Sequence, residues 1–306
     1  MSGVLQDGIP PLRQPKMISA EQAGYLEDSN IVFGIEVNGD IRAYPKRILA
    51  WHEMFVDEVG GVPIIGVYCT LCGTVIIYDT VVEGIHHQMG TSGFLYRSNK
   101  LMYDKATQSL WSTFGGAPVI GPLVNKGIHF PHRYVVTTTW GEWKRRHPTT
   151  QVLAVETGYQ RDYGEGVAYQ DYFATDKLMF NVPKLDKRLK NKAEVLGLIF
   201  SKHPDMPLAI AVKYLVKHPL YHGKIGDQSF VALTDKSGAI RVYDNKKLKF
   251  SQWDQDHTAI DANGLTWRLT EAQLSSNKGD VIKRLPANRA FWFGWFSSYN
   301  HTQLVH

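Results

Sequence analysis

Short apolar runs separated by polar turns dominate the chain. Residues 31–44 form two such runs around Asn38 and Gly39, which predicts a β-hairpin with an Asn-Gly turn. The runs at 62–68 and 74–79 predict two further strands. Runs of this length between glycine, asparagine and aspartate are typical of antiparallel sheets.

Helical spacing of apolar residues is confined to a few segments. Residues 45–59 begin with a proline and carry apolar residues at helical spacing, so they predict a helix that Gly60 ends. A second helix is predicted over 139–147, before Pro148. The predicted fold class is therefore α+β and β-rich, with short antiparallel strands and a few helices.

An internal repeat is also visible. Residues 60–79 resemble residues 225–244, with two glycines and a tyrosine recurring at a constant spacing of 165. The pattern predicts a tandem duplication, with 1–183 as the half that carries the functional site. Residues 184–306 are then a degenerate second half packed on it in one compact body.

The most informative stretch is YCTLCGT (68–74), which holds both cysteines of the chain. At the repeat spacing Cys69 aligns with Thr234 and Cys72 with Ser237, so chemistry is expected in the first half only. The pair can bind a metal, form a redox-active disulfide or be two inert thiols. A strand is predicted after it, whereas thioredoxin-type pairs begin a helix whose dipole lowers the thiol pKa. The Cys-Gly turn is instead similar to the metal knuckles of rubredoxins and zinc ribbons.

Two sulfurs make half of a tetrahedral site, so further ligands are needed. His52 lies on the apolar face of the predicted helix and is the leading candidate, while Met102 is a softer one in an apolar strand. Cys69, Cys72 and His52 form a soft ligand set, which favours copper, with zinc as the alternative, over magnesium or calcium. Three protein ligands leave one position open, as in catalytic sites.

Four residues are predicted to contribute to catalysis. Glu53 projects about 100° from His52 around the predicted helix and is a ligand or general base. Tyr96 and Ser98 alternate on one strand face and are predicted to line a pocket together. Asp104 is a second possible base, although its turn sequence also suits a purely structural role.

Composition excludes several classes of protein. With 43% hydrophobic and 21% charged residues among 306, the chain is neither disordered nor fibrous. A net charge of +5 without a recognition motif argues against nucleic-acid binding. No apolar run approaches the roughly 18–20 residues of a membrane span. The first residues show no basic start followed by an apolar stretch, which predicts a cytoplasmic protein as written, or an exported one if a leader has been trimmed.

The chain resembles the domain-of-unknown-function 3179 family. The resemblance runs through AYPKRILAWHE (43–53), VYCTLCGTVIIYD (67–79), GTSGFLYRS (90–98), LMYDKATQSLWS (101–112) and AFWFGW (290–295). All eight candidate residues fall on matched motif positions. The family name supplies no reaction, and many members look exported or lipid-anchored.

Three positions depart from the family pattern. Arg97 and Lys100 stand where the family usually shows a polar amide and an apolar residue, and Thr113 replaces a usual glutamine. These differences would alter a substrate pocket.

Three functions remain open from the sequence. The first is a metal-dependent enzyme, with copper favoured and zinc possible, that oxidises a small organic substrate. The second is a thiol–disulfide oxidoreductase that uses Cys69 and Cys72. The third is a non-enzymatic protein with a structural zinc site. The partner expected is a small-molecule substrate, and the sequence does not determine the oligomeric state.

Overall fold

β-strands make up 44% of the protein and helices 13%. A computed structural model describes residues 5–306. The strands up to residue 153 are β1 (Leu12–Arg13), β2 (Met17–Ser19), β3 (Ile31–Val37), β4 (Asp40–Pro45), β5 (Met54–Val59), β6 (Val62–Cys69), β7 (Thr74–Asp79), β8 (Val81–Val82), β9 (Ile85–His86), β10 (Met89–Tyr96), β11 (Asn99–Asp104), β12 (Leu110–Ser112), β13 (Ala117–Ile120), β14 (His132–Arg133), β15 (Val136–Thr139) and β16 (Gln151–Leu153). The later strands are β17 (Glu194–Phe200), β18 (His203–Ala211), β19 (Leu220–Ile225), β20 (Gln228–Thr234), β21 (Ile240–Asp244), β22 (Phe250–Trp253), β23 (Thr258–Asp261), β24 (Thr266–Leu269), β25 (Gln273–Ser276), β26 (Val281–Lys283), β27 (Asn288–Phe291) and β28 (Gln303–Val305). The α-helices are α1 (Lys46–His52), α2 (Trp140–Arg146), α3 (Gln170–Ala174), α4 (Val212–Lys217) and α5 (Trp292–Ser298).

The strands form six sheets of three to five strands, arranged as a six-bladed β-propeller, and β8 and β9 form a separate two-stranded ribbon. The predicted α+β class is therefore wrong. The helices have only five to seven residues each and connect strands, so they do not build a layer of their own. The hydrophobic cores lie between and within the sheets instead.

The two halves of the chain share one order of elements. In the first half, β15 adds antiparallel to β3, and after α2 the strand β16 adds parallel to β4. In the second half, β27 adds antiparallel to β17, and after α5 the strand β28 adds parallel to β18. The expectation of a degenerate second half is thus wrong, because that half keeps its own hairpin, meander and returning strands.

A buried hydrogen bond recurs where each half closes. Trp143 in α2 donates its indole N–H to the hydroxyl of Thr150 at 2.9 Å. Trp295 in α5 donates in the same way to Thr302 at 3.0 Å. The repeated tryptophan–threonine contact agrees with the internal repeat that the sequence predicts.

The first helix is shorter than predicted. It ends at His52 because Glu53 adopts a left-handed conformation with φ of 56°. Residues 54–59, expected to continue the helix, form β5 and pair antiparallel with β6 around a Gly60-Gly61 turn. Pairing with β6 outweighs the helical preference of these residues, because the helical spacing of apolar residues is a weak signal on its own.

Strand register also revises the alignment of the cysteines. Cys69 pairs with Thr74, while the backbone N–H of Asp235 donates to Ala239, which stands 165 residues after Thr74. Cys69 therefore corresponds to Asp235 rather than to Thr234, and the second turn is one residue shorter.

An ion-pair network occupies this turn of the second half. Asp235 accepts hydrogen bonds from the hydroxyl of Ser237 at 2.6 Å and from the guanidinium of Arg241 at 2.9 Å. Arg241 also binds the buried carboxylate of Glu271 with its Nε and Nη2 atoms. Charged side chains thus hold this turn, whereas sulfurs hold its counterpart in the first half.

Candidate functional site

The two cysteines lie in a tight turn between strands. Cys69 ends β6, a single 3-10 turn covers Thr70–Cys72, and Gly73 follows with φ of 62° before β7 begins. Cys69 and Cys72 are joined as a disulfide with their Cα atoms 5.2 Å apart. Glycine suits this position because a side chain is strained at positive φ. The strand expected directly after the pair is confirmed as β7, so the pair does not begin an α-helix.

A strap, defined here as residues 169–182, covers the disulfide. The hydroxyl of Tyr172 donates to the carbonyl oxygen of Leu71 at 2.8 Å, and phenylalanines of the strap pack with the cysteines in one apolar cluster. Cys69 is 3% exposed and Cys72 is fully buried. The disulfide is therefore shielded from bulk water on the side of Cys72.

Cys69 lines a cavity of about 400 Å³, called the inner cavity below. Glu53 and Lys100 also line it, and the remaining wall is mostly apolar. The apolar lining consists of Ile9, Leu71, Gly93, Phe94, Leu95, Tyr169, Met179 and Phe180. Cys69 thus shares a partly open cavity with two ionisable side chains.

Glu53 and Lys100 form a buried ion pair in this cavity. Their side chains are 9% and 4% exposed, and the Lys100 ammonium donates directly to the Glu53 carboxylate. The left-handed backbone at Glu53 turns its side chain away from the course of α1, and the β10–β11 hairpin supplies Lys100. A non-glycine residue held at positive φ is a local cost that is often found at functional sites.

A second space, called the outer cavity below, adjoins the first. It has a volume of about 570 Å³, and Leu95 and Phe180 line both cavities. Tyr96 and Ser98 both line the outer cavity, but Ser98 lies in the turn between β10 and β11 and not on the strand face that the sequence predicted. The carbonyl oxygen of Ser98 lies 2.8 Å from the sulfur of Cys72, so this hairpin touches the disulfide directly.

His52 forms its hydrogen bonds with residues other than the two cysteines. Its Nδ1–H donates to the carbonyl oxygen of Pro10 at 2.8 Å, and the hydroxyl of Tyr163 donates to its Nε2 at 2.5 Å. Burial lowers the pKa of His52. Within residues 5–306, no three His, Cys, Asp or Glu side chains converge as a metal-ligand group. The predicted grouping of His52 with both cysteines is therefore absent from the described part of the chain.

Met102 and Asp104 lie away from the disulfide cavities. Met102 is fully buried in an apolar cluster that includes Trp111. The Asp104 carboxylate accepts from Nδ1 of His87 at 3.0 Å and from the backbone N–H of Ala106 at 3.0 Å. These contacts give Asp104 the structural role in its turn that its sequence also suited.

Sequence reasoning missed two pairings, Lys100 with Glu53 and His87 with Asp104. A signal existed for the first, because a lysine inside the apolar strand of 99–104 needs a buried counter-charge. The sequence carries no comparable signal for His87 and Asp104, because these two residues meet only through the register in which β10 pairs with β11.

The chain is a six-bladed β-propeller in which Cys69 of a disulfide lines a partly open cavity. Residues 6–302 match the family described as a protein of unknown function (DUF3179), and the chain belongs to that family. No curated protein and no solved structure matches it. In residues 5–306, no helix is long and apolar enough to cross a membrane.

Proposed function

We propose that the protein is a thiol–disulfide oxidoreductase that acts on a small-molecule thiol or disulfide through Cys69 and Cys72. One observation carries the proposal: the disulfide forms part of a cavity wall beside the buried Glu53–Lys100 pair. A purely structural disulfide needs neither an adjoining cavity nor an ion pair in the wall of that cavity.

The reaction is a two-electron exchange. A thiolate of a dithiol substrate attacks the sulfur of Cys69, since Cys69 lines the inner cavity and Cys72 does not. The protein S–S bond breaks, a mixed disulfide forms on Cys69, and Cys72 leaves and takes up a proton. The second thiolate of the substrate then attacks the substrate sulfur that is bonded to Cys69. The mixed disulfide breaks, and Cys69 leaves and is protonated. The substrate becomes a disulfide, and the protein gains two electrons and two protons. The reverse sequence, with a disulfide substrate, restores the protein.

Lys100, ion-paired with Glu53, is the cationic side chain that lines the same cavity as Cys69. A cation near a sulfur favours the thiolate, which is both the nucleophile and the leaving group. The 3-10 turn of three residues offers no helix dipole for this purpose. Glu53 holds the ammonium in its apolar surroundings, and the carbonyl oxygen of Ser98 is placed to accept the S–H of reduced Cys72.

The test is trapping of the mixed disulfide. Oxidised protein is mixed with dithiothreitol, quenched with an alkylating agent and weighed intact, beside Cys69→Ser and Cys72→Ser. We expect native protein to gain two alkyl groups after reduction and none after reoxidation, because reduction of the disulfide is reversible. Because Cys69 lines the cavity and Cys72 is fully buried, the free Cys69 thiolate of Cys72→Ser attacks an added small disulfide and forms a mixed disulfide, whereas Cys69→Ser does not. Alkylation that requires denaturant would overturn the proposal.

Metal binding by the reduced pair is a second proposal. It is favoured by the Cys72-Gly73 turn followed by a strand, the arrangement that resembles a metal knuckle. On this proposal the cysteines bind copper, or alternatively zinc, and serve oxidation of a small organic substrate or a structural site. Elemental analysis of reduced, untagged protein tests it: about one metal per chain, lost in both serine variants, is expected. Metal that is retained in both variants contradicts it.

A further inference from the structure

The charges in the two cavities are distributed unequally. In the inner cavity the ammonium of Lys100 is balanced by the carboxylate of Glu53. The charged residues among the described lining of the outer cavity are Arg97 and Lys184, and both are cationic. A substrate that reaches from one cavity to the other thus meets a neutral end and a positive end.

Building on the proposed function, we propose that the outer cavity binds the anionic end of the substrate. The substrate class is then an apolar chain that carries a dithiol or disulfide at one end and a carboxylate at the other. The sulfur end enters the inner cavity beside Cys69, and the carboxylate binds Arg97 and Lys184.

The two cavities are close enough for one molecule to use both. Leu95 and Phe180 belong to both linings. Ser98 lines the outer cavity while its carbonyl oxygen lies 2.8 Å from the sulfur of Cys72, whose partner Cys69 lines the inner one. The disulfide therefore stands at the boundary between the two spaces.

Arg97 is held in position by the fold. It lies at the tip of the β10–β11 hairpin, where Arg97 and Ser98 have φ of 48° and 60°. Its Nη1–H donates to the carbonyl oxygen of Ser298 at 3.3 Å, and the hydroxyl of Ser298 donates back to the carbonyl oxygen of Arg97 at 3.2 Å. The tip is thereby tied to the end of α5. A guanidinium has five N–H donors in a fixed fork, which suits a carboxylate.

The apolar wall of the outer cavity also favours one kind of linker between the two ends of the substrate. Leu95, Phe180 and Phe296 line the outer cavity next to the cations. Such a wall favours an alkyl chain over a polar linker, because apolar area leaves water on binding. A charged group in the chain's middle would lose its hydration there without a partner.

Dihydrolipoate and its neutral amide are the matched probes, since both carry the same dithiol and chain and differ in the terminal charge. Stopped-flow reduction of the Cys69–Cys72 disulfide is measured for each, with dithiothreitol as a general reductant. We expect dihydrolipoate to be favoured about 10-fold in kcat/KM at low salt, mainly through KM, with the preference shrinking as salt screens the cations.

Two variants test whether Arg97 and Lys184 cause the preference for the acid over the amide. The double variant Arg97→Gln, Lys184→Gln should lower the acid-to-amide ratio to about one, while Lys213→Gln, an exposed lysine in α4, should leave that ratio as in the parent. Equal rates for acid and amide, with dithiothreitol active, overturn the anionic subsite and leave the proposed function standing. Failure of all three reductants on the native protein overturns the proposed function and this inference with it.

Discussion

Replacing Lys100 by methionine should destabilise the protein strongly. The substitution removes the ammonium that pairs with Glu53, whose side chain is only 9% exposed. Breaking a buried ion pair by removing one partner leaves an unpaired buried charge, which costs about 3–5 kcal/mol. Since 1 kcal/mol corresponds to a few degrees in a protein of this size, we expect the Tm to fall by about 5–10 °C.

Two further variants separate this cause from simple loss of a lysine. Lys16 pairs with Glu156 at 3.9 Å on the surface, where both side chains are more than 60% exposed. Because exposed pairs contribute about 0–1 kcal/mol, Lys16→Met should change the Tm by at most about 2 °C. The double variant Glu53→Gln, Lys100→Met removes both charges and should recover most of the lost stability.

The assay is thermal unfolding followed by tryptophan fluorescence at pH 7. The reasoning is refuted if Lys100→Met and Lys16→Met lower the Tm equally. It is also refuted if the double variant is as unstable as Lys100→Met, since the unpaired carboxylate would then not be the cause.

Three other predictions concern the body of the fold. Gly197→Ala should lower the free energy of unfolding by about 1–3 kcal/mol or more, because the added methyl group would overlap the ring of Trp295. Gly24→Ala should be nearly neutral, because no atom lies within 4 Å of the added methyl group. Equal Tm values for the two variants would contradict this packing. Thr302→Val should cost about 1–3 kcal/mol by leaving the Trp295 indole N–H without its acceptor, and an unchanged unfolding midpoint in denaturant would argue against the bond. Burial lowers the pKa of His132 from its ordinary value near 6.5 to about 4, so the stability of the native protein should fall as the pH drops from 6.5 towards 4. His132→Gln should flatten that part of the curve of Tm against pH. An unaltered curve would contradict a buried neutral imidazole.

Local signals in the sequence were reliable where the contacts are local. The hairpin over 31–44 is confirmed, and its Asn38 and Gly39 both adopt the positive φ that the turn requires. The helix expected over 139–147 is confirmed as α2 with Thr139 accepting a backbone N–H at its start. In each case a few neighbouring residues decide the conformation.

Long-range contacts determine the fold class, the end of α1 and the partners of His52, which the sequence did not predict. The six-bladed arrangement depends on β15 and β16 returning to β3 and β4 across about a hundred residues, which no local pattern encodes. The conformation of Glu53 depends on β5 pairing with β6. His52 is likewise drawn to Pro10 and Tyr163 by distant segments, so its place on an apolar face did not reveal its partners.

The redox behaviour of Cys69 and Cys72 tests the central claim most directly. Folded protein is equilibrated in thiol–disulfide buffers of graded potential, and the reduced fraction is counted by alkylation and intact mass. We expect a reversible two-electron transition between about −270 and −120 mV, the range of thiol–disulfide oxidoreductases. A disulfide that stays closed in the folded protein below about −300 mV, and opens only on unfolding, would mark it as structural and contradict the proposed function.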